Sequence, residues 1–152
     1  MAVDNMFLPK KVSWMLLTGF VTFDSVVSYI AISRMGAKEA DLLIAPFVEK
    51  YPLLYFPCIP LELIIIYLIV LTLRTITLAV TRHWKHFDKD VIEHIILTAT
   101  VIFWSIANSL LNLLFILGYR LHGNIWGRLS LIGFIVAFSY GLLSLYLVSR
   151  NK

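Results

Sequence analysis

The chain is 152 residues long and carries a net charge of +4, with 60% of its residues hydrophobic and only 14% charged. A water-soluble chain is roughly 45–50% apolar and about 25% charged, and a fold of this size leaves too much area exposed to hide such a surplus in one core. A soluble globular domain is excluded on that ground, and so is nucleic-acid binding. The 13 lysines and arginines are scattered at the ends of apolar runs and form no dense tract, a distribution that fits anionic lipid headgroups.

A helix that crosses a bilayer needs about 20 mostly apolar residues. Four stretches supply them, at 12–33, 53–73, 91–117 and 125–148. Strands of a membrane barrel would be about 10 residues long with alternating polarity, and these runs are longer and do not alternate. The expected fold is an all-α integral membrane protein: one domain over 1–152, a four-helix transmembrane bundle with a short interfacial helix between spans one and two.

The first span follows a mildly basic segment, Met1 to Lys11, as a signal peptide would. It is too long for such a peptide, contains Asp24 and lacks a clear small-residue cleavage site, so it reads as an uncleaved span opened by Trp14. Asp24 lies near its centre. An ionised carboxylate there costs at least about 2.5–3.5 kcal/mol, so it must be protonated, paired or hydrated. Thr22, Ser25, Ser28 and Tyr29 lie close along the same helix and carry hydroxyls. Either Asp24 and Ser28 belong to a proton or cation site, or the carboxyl holds helices together through hydrogen bonds.

In the loop from Arg34 to Pro52, Ala40, Leu43, Ile44, Phe47 and Val48 fall near one helical face, which predicts the interfacial helix. Pro46 is expected to interrupt it. Tyr51 and Tyr55 open the second span, and 75–80 could extend it. Glu62 follows Pro57 and Pro60. A proline-broken helix beside an acid is how some transporters build an ion site; the alternative is an acid near the interface on a proline-softened helix start. The one cysteine, Cys58, rules out a disulfide within the chain and reads as a small buried hydrophobe.

The middle loop, with Trp84, carries His83, His86, Asp90, Glu93 and His94. Such residues can bind zinc or another divalent metal, but no established ligand spacing is present, and Lys85 and Lys89 would repel a cation. In the third span Ser105, Asn108, Ser109 and Asn112 recur every three or four residues, which puts them on one helical face. That face should point into the bundle, either bonding to neighbouring helices or lining a small wet cavity. Asn108-Ser109-x-x-Asn112 echoes Asp24-Ser25-x-x-Ser28, as a two-span repeat would. Trp104 falls mid-span, while Tyr119 closes the third span. The fourth span, opened by Trp126 and with Tyr146 near its end, carries Gly133, Ala137 and Gly141 four residues apart, flanked by Ser130 and Ser144. This small-residue stripe allows another helix, within the bundle or in a second copy, to approach closely.

With four spans, Lys10, Lys11, Arg74, Arg82, Lys85, Lys89, Arg150 and Lys152 share one side, and Arg34, Lys38, Lys50, Arg120 and Arg128 share the other. The larger set marks the cytoplasmic side and places both termini there. Arg74 weakens the bias if the second helix runs past it.

Over about residues 24–73, Asp24 in an apolar helix is followed by Gly36, Glu39-Ala40-Asp41, Ala45-Pro46 and a second long span. This third of the chain resembles the DUF5658-type family of small multi-span membrane proteins of unknown function. The family's Asn-Pro after Glu-Ala is replaced here by Asp41-Leu42, and Glu62 stands nearest to the lysine often found early in its second span. The resemblance implies no activity.

No glycine-rich phosphate loop, nucleophile elbow or cysteine cluster is present, so the residues point away from an enzyme and leave any cofactor undetermined. The first expectation is a non-catalytic membrane protein that self-associates or serves other membrane subunits. The second is a small ion- or proton-coupled transporter or channel using Asp24, Glu62 and Asn108/Asn112. The third is a membrane enzyme with a metal or lipid headgroup at the middle loop.

Overall fold

A computed structural model describes residues 7–36, 44–81, 89–118 and 125–150, and at Ile125 and Trp126 the backbone alone. Among the described residues the structure is helical and holds no strand. Helix α1 is Lys10–Met35 and α2 is Ala45–Val48. A 3-10 turn, Pro52–Leu54, leads into α3, Tyr55–Val80. Helix α4, Lys89–Trp104, continues through a π-helical segment, Ser105–Ser109, into α5, Leu110–Ile116. Helix α6 is Ile125–Arg150. Four helical stretches are long and apolar enough to cross a membrane: Lys10–Met35, Pro52–Val80, Lys89–Ile116 and Gly127–Arg150. The first two exceed the expected spans at both ends, and α3 takes in the 75–80 extension.

Local chemistry sets several boundaries. Pro9 precedes α1, and its carbonyl accepts the first bond, from the Ser13 amide at 2.9 Å. Gly36 ends α1 in the left-handed region at φ 63°, where a residue without a β-carbon is not strained, and its amide caps the Ala31 carbonyl. Gly118 ends α5 in the same way at φ 80°. Thr72, Thr75 and Thr81 turn their hydroxyls back onto carbonyls four residues earlier, so these polar groups are satisfied within α3 or at its end.

Pro46, Pro57 and Pro60 lie in or at the start of α-helices. Pro46 stands at the second position of α2, a single turn, where a missing amide hydrogen costs nothing. Ala40 and Leu43, which were to share that helix, lie outside the described residues. Of the two alternatives at Pro57 and Pro60, the broken helix is absent and the second long helix runs on past both. Pro57 falls in the first turn of α3, among amides that have no intrahelical acceptor, and α3 runs continuously past Pro60.

The long helices run up, down, up and down. Lys10 at the start of α1 meets Asp90 and Glu93 at the start of α4, so these two are parallel. Arg74, late in α3, meets the same Glu93, so α3 is antiparallel to both. Helix α6 is antiparallel to α4, with Val148 beside Ile95 and Gly133 beside Phe103. Helix α4 is the central element. Its Leu97 and Val101 join Leu17 and Val21 of α1 and Ile66 and Val70 of α3 in the main core. Its Ile95 packs instead with Val148 of α6 and with Phe7, ahead of α1. Positions 95 and 97 are about 200° apart on a helix, so α6 lies across α4 from the α1–α3 pair. Much of the remaining apolar surface faces outward, including Leu61, Ile65 and Leu68 on α3 and Leu131, Phe134 and Leu142 on α6.

Candidate functional site

Two of the polar residues singled out in the sequence meet across the bundle. The side-chain amide of Asn112, on α5, donates to Oδ1 of Asp24, on α1, at 2.6 Å. Asn112 is buried and Asp24 half-buried. Asp24 is 14 residues beyond Lys10, which puts the bridge about 21 Å along α1. The donor is a neutral amide, so the carboxylate is oriented without being neutralised.

The π segment lies immediately before this contact. Its closing bond runs from the Leu110 amide to the Ser105 carbonyl, five residues back. The wider turn changes which side chains face α1, so the four polar residues do not act as one face. Ser105 donates to its own helix, at the Ile102 carbonyl, 2.9 Å away. Asn108 is half-buried. The Ser109 hydroxyl is buried and has no hydrogen-bond partner among the described residues. The same holds for the indole nitrogen of Trp104, whose ring packs on the main core and against Phe103. Among these four, Asn112 is the residue that reaches Asp24.

Ser28 is half-buried one turn beyond Asp24. Glu62 is half-buried about 11 Å into α3 from Tyr55. It is three residues from Ile59 and four from Ile66, both of which face the main core. With α3 continuous, Glu62 sits on a regular helix and not beside a break.

A second polar group ties three helices at the other end of the bundle. Arg74 Nη1 lies 2.7 Å from Glu93 Oε2. Lys10 Nζ lies 2.6 Å from Asp90 Oδ1 and 3.5 Å from Glu93 Oε1. Arg74 and Glu93 are each about four-fifths buried, so the pair is poorly screened by solvent. Sequence reading placed Arg74 among the loop cations and did not pair it. A usable signal was present, because Arg74 and Glu93 flank the connection between two consecutive antiparallel helices and so come to similar depth. The correction also reduces the charge asymmetry between the two sides, although the larger set stays larger without Arg74.

Of the four metal-ligand candidates, His83 and His86 lie outside the described residues, as does Trp84. His94 is half-buried on α4. Asp90 is engaged by Lys10. Among the described residues no group of three potential ligands converges.

The small-residue stripe of α6 lies against the π segment and α4. A β-carbon on Gly133 would come within 3.2 Å of the Phe103 carbonyl oxygen and 3.5 Å of the Ile106 β-carbon. Ala137 and Ser144 are buried on the same side. Gly141 is open, since a β-carbon there would meet nothing within 4 Å. The upper part of the stripe is therefore consumed inside the bundle, and Gly133 and Ala137 are not offered to a second copy.

No protein-family model matches the chain, and neither a curated protein nor a solved structure shows significant similarity to it.

Proposed function

We propose that the chain is a polytopic integral membrane protein without a catalytic role, one that self-associates or serves a larger membrane complex as an accessory subunit. Four sufficiently long apolar helices and the large hydrophobic side chains on their outer faces support the placement in lipid. The observation that carries the role is that acids between the helices are engaged by neighbouring helices. Asp24 is held by Asn112, and Glu93 by Arg74 and Lys10. Polar side chains used in this way act as interhelical glue. Because Gly133 and Ala137 are spent internally, association would use outer faces, such as that of α6 with its stacked Phe134 and Phe138 rings. The cations around the described α1 and α4 N-termini and the α6 C-terminus support a cytoplasmic location for both termini. Gentle extraction from native membranes should recover either a defined oligomer or stoichiometric partners. A monomer with no partner would remove this reading.

One observation favours a small proton or cation carrier instead: Asp24 is only half-buried, has a neutral donor, and lies beside a π segment, a feature frequent at functional sites. The two readings separate on paired variants. As glue, Asn112→Leu is expected to destabilise the protein by about 1–3 kcal/mol, because it strands the carboxylate, while Asp24→Asn keeps an amide partner and costs less. Unfolding midpoints in detergent check the order. Flux into proteoliposomes by the wild type, abolished in a stably folded Asp24→Asn variant, would reverse the preference.

A further inference from the structure

The outward side of α1 carries a long shallow depression. This wide-open groove of about 890 Å³ is lined by α1 alone, from Lys11 past Met15, Thr18 and Gly19 to Phe23 and Val26. Gly19 keeps the floor low, since a β-carbon there would meet nothing within 4 Å. The lining is apolar apart from Lys11 and the threonines, and Thr18 has turned its hydroxyl to the Trp14 carbonyl at 2.9 Å. From Lys11 to Val26 the groove spans about 22 Å along the helix. That exceeds one leaflet of a hydrocarbon core about 30 Å thick.

The charge at its mouth distinguishes possible occupants. Lys10 is drawn to Asp90 and Glu93. Lys11 is exposed, on the groove side, and takes part in none of the ion pairs among the described residues. Trp14, one turn deeper, packs its ring on Tyr67 at 6.0 Å, and aromatic residues of this kind settle at headgroup depth. A cation at headgroup level above an apolar strip longer than one leaflet complements a phosphate joined to acyl chains. A second copy fits less well, because a two-fold axis along this face would bring the two Lys11 side chains together.

We propose that the α1 groove binds one anionic phospholipid, its phosphate at Lys11 and an acyl chain along Gly19 to Val26. The proposal rests on placement in a bilayer, and its test separates the two. The full chain is placed in vesicles of equal phosphatidylglycerol and phosphatidylcholine, extracted in mild detergent, and weighed with its bound lipid by native mass spectrometry. The wild type should retain one phosphatidylglycerol about fivefold more often than phosphatidylcholine, the factor expected of one lysine near anionic lipid. Lys11→Glu, at an exposed position, should abolish the preference, and Gly19→Leu should lower occupancy by both lipids. Equal retention of the two lipids, no retained lipid, or an unchanged preference in Lys11→Glu would overturn the proposal. So would a dimer that Met15→Cys cross-links in a Cys58→Ser background. Carbonate-resistant membrane association in all variants would leave the bilayer placement standing even then.

Discussion

Arg74→Ala is expected to lower the unfolding free energy by about 2–3 kcal/mol, among the largest effects of any single change outside the main core. Removing one partner from a buried pair typically costs about 3–5 kcal/mol, because the remaining charge stays desolvated. Two features of this site reduce the figure. Each side chain keeps about a fifth of its surface exposed, and Lys10 remains 3.5 Å from Glu93 after the arginine is gone. The double variant Arg74→Ala/Glu93→Ala should recover part of the loss, since no charge is then stranded. Thermal or denaturant midpoints of the four proteins in one detergent complete the cycle. If the single and double variants both match the wild type, the cluster does not hold α1, α3 and α4 together.

Gly133→Leu should be comparably damaging, for a reason unrelated to charge. The first added carbon already stands 3.2 Å from a backbone oxygen at Phe103, and backbone cannot swing aside as a side chain can. Overpacking of this kind costs about 1–3 kcal/mol. It should also part α6 from α4, raising protease cleavage between them. Gly141→Leu is the matched control from the same stripe, where the added β-carbon meets nothing within 4 Å. A difference of several degrees in midpoint between the two variants is expected; equal midpoints would mean that α6 does not approach α4 as closely as described.

The helices were legible because their signal is length and composition, which need no knowledge of neighbours. The polar positions Asp24 and Asn112 were legible for the same reason, as interruptions in apolar runs. Their pairing was not, since it depends on the relative rotation of two helices 88 residues apart in sequence. The Gly133 stripe declared that something approaches closely but not what, because a glycine is equally smooth toward α4 and toward another copy. The prolines before Glu62 left a broken helix and a softened start both open. A proline costs little in a first turn, where Pro46 and Pro57 stand, and composition fixes such a start only to within a few residues.

The segment Ser105–Ser109 adds one residue to a turn without ending the helix. A residue contributes about 100° of rotation, so everything beyond the insertion is indexed like a key cut one notch over. In an uninterrupted α-helix built from the same beginning at Lys89, the side chain at the Asn112 position would point about a quarter-turn away from where it does. The α4 half puts Leu97 and Val101 into the core, and the α5 half, set off by the insertion, carries Asn112 to Asp24. A single rod meets α1 twice, through an apolar contact in its first half and a polar one in its second.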